Sequence, residues 1–150
     1  MKIIKPLALA ITTTSLLAAC SESTPQPSGP AADQAPALSF EEDLQTQLIQ
    51  AQPGDIIEIP AGVHEMTRSL SLSVPGVTIR GAGMAESILS FSNQIQGAEG
   101  LLVTADNFVI EDLAIEDTIG DALKVNESNN VTIRRVRTEW TNGPDSENGA

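Results

Sequence analysis

Two stretches decide the fold: Asn107-Phe-Val-Ile-Glu-Asp-Leu-Ala-Ile-Glu116 and Asn130-Val-Thr-Ile-Arg-Arg-Val-Arg-Thr-Glu139, which carry one pattern twice. In each copy, large or β-branched residues recur at every second position of two short runs, as in strands that bury one face. Repetition at the spacing from Asn107 to Asn130 indicates a solenoid whose coils stack through parallel strands. The corresponding positions, which we expect to point inward, are Phe108, Ile110, Leu113 and Ile115 in the first copy and Val131, Ile133, Val136 and Thr138 in the second.

The repeat continues toward the N-terminus. Leu101 and Val103 correspond to Leu123 and Val125 at an offset slightly shorter than the spacing from Asn107 to Asn130. An earlier Val-Thr-Ile-Arg, at 77–80, precedes the corresponding residues of the first copy at an offset longer than that spacing. Gly, Pro, Asn and Asp separate these short runs, as is typical of turns between strands. We predict strands over residues 56–59, 70–73, 77–80, 88–91, 101–104, 108–111, 113–116, 123–125, 131–134 and 136–140.

One helix precedes the strands. Ser39 followed three residues later by Glu42 forms a capping box. Apolar residues recur at helical spacing from Phe40 to Leu48, and a Gln-Pro-Gly sequence ends the pattern. We therefore predict a helix over 40–51 that caps the apolar core, and an all-β fold class: a parallel β-solenoid with a short N-terminal capping α-helix.

Three stretches carry a resemblance to a known family. They are Pro53-Gly-Asp-Ile-Ile-Glu-Ile-Pro-Ala-Gly62, Gly76-Val-Thr-Ile-Arg-Gly-Ala-Gly83, and the Val-Thr-Ile-Arg that recurs at 131–134. They resemble the start of a right-handed parallel β-helix of the pectin-lyase-like superfamily, and within it a group of lipoproteins known as parallel β-helix repeat proteins. The resemblance implies a right-handed parallel β-helix (solenoid) over most of the chain and leaves activity open, because a fold does not fix a function.

The N-terminal segment predicts export. Residues 1–19 combine a basic start with a short apolar run, as in a signal peptide. The Leu-Ala-Ala-Cys that ends at Cys20 resembles a bacterial lipobox, which implies lipidation of Cys20; an ordinary signal peptide beside an unrelated cysteine is the alternative. The residue after Cys20 is Ser21 and not Asp, which resembles the outer-membrane sorting signal of Gram-negative lipoproteins. Residues 20–37 predict a Pro/Ser-rich disordered linker, so the protein would be anchored to the membrane in the cell envelope.

Composition excludes several functions. The chain has 8 Lys and Arg against 20 Asp and Glu, a net charge of −12, whereas nucleic-acid binding depends on basic residues. A single cysteine excludes an internal disulfide, and a single histidine, His64, excludes a multi-histidine metal site. We expect His64 to be structural or solvated. For Trp140 we expect packing at the end of the last coil, with stacking on a sugar as the alternative.

The repeat also predicts which charges meet. At the offset between the two copies, Glu111 and Asp112 should lie beside Arg134 and Arg135 on the outer surface, with Arg80 on the other side of Glu111. Such pairs contribute about 0.2–1 kcal/mol each to a sheet, so a structural role is sufficient for them. By the same offset, the asparagines at 107 and 130 should stack as a ladder at a turn.

Four carboxylates fit the ladder less well. Glu116 should stack on Glu139, and Asp117 and Asp121 lie close in sequence. Calcium takes about six to eight oxygen ligands, so these four residues form a candidate Ca²⁺ site; like charges separated by solvent are the alternative.

The resemblance adds a possible reaction to this candidate site. Enzymes of the superfamily often combine calcium with a Lys or Arg base that removes a proton beside a uronate carboxylate, and Lys124 or Arg137 would be that base here. However, the Arg-x-Pro-x-x-Arg motif of pectate lyases and the Asp-Pro-His-Glu motif of mannuronan epimerases do not occur in the sequence.

Two functions remain open from the sequence. The first is a carbohydrate-binding or protein-interaction scaffold of the envelope, for which the resemblance implies an exported cytochrome-type partner. The second is a polysaccharide lyase or epimerase that acts on a glycan with Ca²⁺. Because residues 142–150 read as a loop between coils, we expect 38–150 to be the N-terminal coils of a truncated β-helix, whose open end pairs with missing coils or with another chain.

Overall fold

The structure is a computed structural model, and it describes residues 38–141. The predicted signal peptide, Cys20 and the linker up to residue 37 lie outside the described residues, as do residues 142–150. The described chain consists of one helix and nine strands. They are α1 (Phe40–Gln50), β1 (Ile56–Ile59), β2 (Gly62–Glu65), β3 (Arg68–Leu72), β4 (Thr78–Gly81), β5 (Ser87–Ser90), β6 (Gln96–Val103), β7 (Val109–Glu116), β8 (Leu123–Val125) and β9 (Thr132–Glu139).

These strands form a parallel β-solenoid of about four turns. All pairings between the nine strands are parallel. One sheet stacks β1, β4, β7 and β9, and β7 is long enough to pair with β5, and through it β2, along its second half. The other sheet stacks β3, β6 and β8. The predicted solenoid of parallel strands is therefore confirmed.

The register between coils also agrees with the sequence. Ile110 pairs with Ile133, and Glu116 pairs with Glu139, at the offset that separates the two copies of the repeat. Leu101 pairs with Leu123, as the slightly shorter offset of that strand predicted. The alternation of apolar residues is enough to fix this register, because a shift by one residue would turn every core side chain to the surface.

The structure differs from the predicted strands in three places. Strand β6 begins at Gln96, five residues before the start of the strand predicted at 101–104. Strand β2 was not predicted, because Gly-Val-His-Glu carries no apolar alternation and its residues are mostly exposed; parallel pairing with β5 makes it a strand. Strands β7 and β9 are each continuous where two strands were predicted. Asp112 and Arg135, with φ of 60° and 50°, bend each strand in the middle without ending its pairing.

The core is built from rows of apolar side chains that run along the stack. One row consists of Ile57, Ile79, Ile110 and Ile133, which are 5%, 3%, 0% and 53% exposed. The first three isoleucines are buried by the surrounding coils. The fourth lies on the last described coil, where half of its surface is open to solvent.

A ladder of left-handed residues follows one corner of the solenoid. Gly76, Asn107 and Asn130 have φ of 74°, 57° and 57°. The Asn130 side-chain amide donates to the Asn107 side-chain oxygen at 2.8 Å, which confirms the predicted asparagine ladder. Asparagine tolerates positive φ better than most residues, so it can take the position that glycine holds one coil earlier.

Helix α1 packs on β2 and β3 and contributes to the same core. Ser39 and Glu42 form the predicted capping box, and Leu44 and Leu48 are buried in the core. The helix also satisfies backbone groups of the outer edge of the first coil. Its buried Glu41 accepts hydrogen bonds from the backbone amides of Thr67 (3.1 Å) and Arg68 (2.8 Å).

Candidate functional site

The predicted charge ladder lies on the sheet of β1, β4, β7 and β9. Arg80 Nε donates to Glu111 Oε1 at 2.6 Å, and Arg134 Nε donates to the other oxygen of Glu111. Glu58 extends the ladder by one coil, with 3.5 Å between its carboxylate and Arg80. Beside it, Arg135 pairs with Asp112. Each predicted pair is confirmed, and the charges alternate in sign from β1 to β9.

One property of the ladder was not predicted: Glu111 is only 1% exposed, although its side chain points out of the core. Arg80 and Arg134 bond to its two carboxylate oxygens from the two neighbouring coils. Long arginine side chains can cover a neighbour with their apolar stems, which accounts for the low exposure. Hydrogen bonds from Arg134 and Arg80 lower the pKa of Glu111 below its usual value. The hydrogen bond from Arg135 likewise lowers the pKa of Asp112. Both carboxylates therefore stay ionised and paired, which is a structural arrangement.

We expect Glu111→Gln to lower the free energy of unfolding at pH 7. We also expect the free energy of unfolding of this variant to fall less than that of the wild type as the pH is lowered. The lowered pKa of Glu111 means that its contribution is full above the ordinary glutamate pKa of about 4.3 and is lost as pH falls through the folded-state value. The variant lacks this titration, so it should lose less stability than the wild type below that pH. Urea unfolding between about pH 7 and 3 measures the difference, with Glu127→Gln, an exposed glutamate, as the control. Parallel curves for wild type and Glu111→Gln would contradict the prediction.

The structure brings together two of the four predicted calcium ligands. Glu116 stacks on Glu139 as predicted, but the guanidinium of Arg137 donates a hydrogen bond to each carboxylate. Arg137 also reaches the carbonyl of Met84 at 3.3 Å. The sequence placed Arg137 on the same outer face, but only the side-chain conformation shows that it bridges the like charges. This pair therefore already has a cation of the protein's own.

The other two predicted ligands make separate contacts. Asp117 accepts hydrogen bonds from the amide (2.5 Å) and hydroxyl (2.7 Å) of Thr141. Asp121 lies 3.8 Å from Lys124 Nζ, which donates to Glu99 at 2.9 Å. Within residues 38–141, no three or more His, Cys, Asp or Glu side chains are grouped closely enough to hold a metal ion. The Ca²⁺ site remains a prediction.

Both candidate bases are held in the protonated form. The hydrogen bond to Glu99 raises the pKa of Lys124 above its usual value. Burial by itself would lower the pKa of Arg137, but its bonds to Glu116 and Glu139 outweigh burial and raise it. A general base needs an unprotonated nitrogen near the working pH, so these ion pairs oppose that role.

His64 and Trp140 make packing contacts. The His64 ring stacks on Phe40 with 3.9 Å between ring centroids, and its Nε2 lies 2.9 Å from the carbonyl oxygen of Pro60. Trp140 is half-buried against the core and donates from Nε1 to the carbonyl of Thr118 at 2.8 Å. These contacts agree with the expectations that His64 is structural and that Trp140 packs at the end of the last coil.

Strand β9 of the last described coil pairs with β7 along one side and has no strand partner along its other side within residues 38–141. The Thr132 amide donates to the carbonyl of Phe108 (2.8 Å), and the Glu139 carbonyl accepts from Asp117 (2.9 Å), so these groups face β7. Successive backbone groups of a strand point to opposite sides. The intervening groups therefore point away from β7, where no strand of residues 38–141 pairs with β9. We call this free side of Thr132–Glu139, together with the half-exposed Ile133, the β9 edge.

Comparisons with known proteins identify no relative. No protein family, curated protein or solved structure matches the chain significantly. In the part of the chain that the structure describes, no helix has the length and apolar character needed to cross a bilayer.

Proposed function

We propose that this chain is a non-catalytic, protein-interaction scaffold of the bacterial cell envelope. The observation that carries the proposal is the contrast between two parts of the described surface. The candidate catalytic and metal-binding side chains are engaged in ion pairs and hydrogen bonds, whereas apolar residues such as Ile56, Val63 and Ile95 are exposed on the described surface. A protein partner suits such positions, because protein interfaces bury apolar side chains at their centre.

A glycan is a weaker candidate for the ligand of residues 38–141. Sugar-binding surfaces commonly present aromatic rings, and the described aromatic side chains are used for packing. Phe91 and Phe108 are buried, and Phe40 and Trp140 are half-buried in the contacts given above. The described surface left for recognition consists of charged side chains and exposed aliphatic residues such as Ile56 and Ile95, which favour a protein.

The finer features of the fold belong to the same proposal. We infer that the coils wind right-handed, because connections between parallel strands of one sheet are right-handed in about 98% of cases. We also infer that α1 acts as the N-terminal cap of the solenoid. In support, its Leu44 and Leu48 enter the core, and its Glu41 bonds to backbone amides at the edge of the first coil.

The location of the scaffold rests on the sequence. We propose that residues 1–19 are removed, that Cys20 is lipidated, and that the linker up to residue 37 holds the solenoid away from the outer membrane. Fully extended at about 3.1 Å per residue, such a linker would reach about 50 Å. The resemblance to β-helix repeat lipoproteins makes an exported cytochrome-type protein the first partner to test.

The alternative is a polysaccharide lyase or epimerase. It is supported by the stacked Glu116 and Glu139, which Ca²⁺ could bind if it displaced Arg137. It would be favoured by micromolar calcium binding in calorimetry that is lost in the Glu116→Gln/Glu139→Gln double variant. The ion pairs that Lys124 and Arg137 make with neighbouring carboxylates make the scaffold the better-supported function.

The scaffold proposal is tested by photocross-linking in the native envelope. A photoreactive residue is placed at one of three exposed isoleucines, Ile56, Ile95 or Ile133, and at the buried Ile110 as a control. We expect a discrete adduct with another envelope protein from at least one exposed position and none from the buried one. If no exposed position gives an adduct, while the purified protein cleaves or epimerises a glycan, the scaffold proposal is wrong.

A further inference from the structure

A short apolar row lies on the outer surface of the solenoid, where β2, β5 and the second half of β7 pair. Val63 pairs with Ile88, and Ile88 pairs with Ala114, so these side chains lie beside one another. Successive side chains of a strand point to opposite faces. Leu89 and Ile115 are in the core, so the residues before them, Ile88 and Ala114, point outward. Val63 is 61% exposed and Ile88 is partly exposed, so two members of the row are open to solvent.

The other end of the row is closed. Ala114 points outward but is 0% exposed. Arg137 pairs with Ala114, and Arg137 Nε donates to the carbonyl of Met84, in the loop before β5, at 3.3 Å. A long arginine side chain can cover a neighbour with its apolar stem, which accounts for the burial of Ala114. The open members are therefore Val63 and Ile88, which we call the Val63 row.

Two carboxylates border the Val63 row. Glu65 lies two residues after Val63 on the same face of β2, and Glu86 lies two residues before Ile88, in the loop that leads into β5. Both side chains are exposed. Glu65 accepts a hydrogen bond from the neutral amide of Asn93 at 3.1 Å, which leaves its charge uncompensated. Within residues 38–141, neither glutamate forms a salt bridge with a Lys or Arg. An apolar row beside two such carboxylates fits a ligand that is both apolar and positively charged.

The Lys and Arg residues of this chain lie elsewhere or pair with other carboxylates. Of the eight, Lys2 and Lys5 lie in the predicted signal peptide. Those within residues 38–141 all form salt bridges with other carboxylates; they are Arg68, Arg80, Lys124, Arg134, Arg135 and Arg137. Residues 20–37 and 142–150 contain neither Lys nor Arg. A second copy of this chain, with a net charge of −12, would add more negative charge. The complementary charge is therefore expected from a different protein.

We propose that the Val63 row and its two carboxylates bind a basic, amphipathic segment of a partner protein. Apolar side chains of the segment would cover Val63 and Ile88, and its Lys or Arg residues would pair with Glu65 and Glu86. Apolar contacts at the centre and charges at the rim are the usual arrangement of a protein interface. Because the surface lies on the outer face of the first two coils, a further coil stacked on β9 would leave it exposed. This inference rests on the proposed scaffold function and names a surface and a partner chemistry for it.

The probe is a fluorescently labelled, helix-forming peptide of about 14 residues, built from lysine and leucine with the leucines at helical spacing. One control peptide has glutamate in place of lysine, which reverses the charge. A second has alanine in place of leucine, which removes most of the apolar area. Fluorescence anisotropy measures each peptide against the chain expressed from residue 20 with Cys20→Ser, so that no detergent is present to bind the peptide. Every variant is first checked for the urea midpoint of the wild type.

We expect saturable binding of the lysine–leucine peptide and at least about tenfold weaker binding of both control peptides. Val63→Lys should weaken binding of the first peptide by about tenfold, and Glu65→Gln/Glu86→Gln by about fivefold. Two control variants should leave binding unchanged: Ile95→Lys, at an apolar residue that is 85% exposed, and Glu127→Gln, at an exposed glutamate on a different loop. No binding, or equal effects of the test and control variants, would overturn the proposal.

Other occupants of the row give different results. A concentration-dependent dimer in sedimentation that Val63→Lys disperses would assign the row to a second copy and overturn the proposal. Peptide binding by the chain from residue 38 but not by the chain from residue 20 would show that the linker covers the row, with the same consequence. Cross-links from Ile56 or Ile95 in the envelope, without binding of the peptide, would overturn this inference alone and leave the scaffold function standing.

Discussion

Replacing Ile110 by alanine is expected to lower the free energy of unfolding by about 2–5 kcal/mol, the range for removing a buried isoleucine from a packed core. Ile110 is fully buried in the third coil, with Ile79 on one side and Ile133 on the other. The coils above and below hold their spacing through strand pairing, so they cannot collapse into the space left by the substitution. The cavity therefore adds to the loss of apolar burial.

The same substitution at Ile133 is the matched control. It removes the same atoms from the same row, but half of the side chain is already exposed, so the expected loss is about 1 kcal/mol. Urea denaturation of the chain expressed from residue 20 with Cys20→Ser measures both values. Equal losses would mean that Ile133 is buried in solution and that the β9 edge is covered. A small loss at Ile110 would mean that this row is not the centre of the core.

The sequence was sufficient for features that depend on periodicity. A row such as Ile79, Ile110 and Ile133 can be predicted from the spacing of β-branched residues. Each coil must place its apolar residues over the apolar residues of the preceding coil. The pairing of Glu111 with Arg80 and Arg134 follows from the same spacing. Both predictions use only the length of a coil and the alternation of a strand.

Features that depend on side-chain conformation or on loops were not predictable in this way. Glu111 is buried between two arginines that bond to it from the neighbouring coils, whereas its outward position in the strand alone indicates an exposed residue. Lys124 pairs with Glu99, which lies 25 residues earlier and so outside the register of the repeat. The pairing of β3 with β6 has an irregularity: Arg68 pairs with Gln96, but Leu70 pairs with Leu101. The residues around Glu99 therefore do not follow the register of the repeat.

The candidate site shows the same division. The stacking of Glu116 on Glu139 followed from the offset between the two copies of the repeat, and it suggested a cation between them. The cation that the structure places there is Arg137, two residues before Glu139 on the same strand. Because successive side chains of a strand point to opposite faces, the sequence predicts that Arg137 and Glu139 share one face. Whether a bound metal or an arginine lies between the two glutamates depends on the side-chain conformation of Arg137, which no sequence pattern specifies.

A second large effect is expected at Gly81, where strand β4 passes close to the bend of β7. A Cβ atom at this position would lie 2.1 Å from the carbonyl oxygen of Asp112 and 2.8 Å and 2.9 Å from the Cβ atoms of Leu113 and Ser87. The closest of these atoms is backbone, and Asp112 is fixed by the positive φ that bends β7 and by its pairing with Arg135. A methyl group can enter only if two adjacent coils move apart.

Gly81→Ala should therefore lower the free energy of unfolding by about 3 kcal/mol, at the upper end of the usual effect of overpacking. Gly83→Ala is the matched control, two residues further along the chain. There the nearest atoms to an added Cβ are side-chain carbons of Glu86 at 3.6 Å, an ordinary contact, so stability should change by less than about 0.5 kcal/mol. Thermal and urea unfolding of the two variants provide the comparison. If both substitutions were tolerated equally, the close packing of β4 against the bend of β7 would be wrong, and with it the position of the Asp112–Arg135 pair beside the charge ladder.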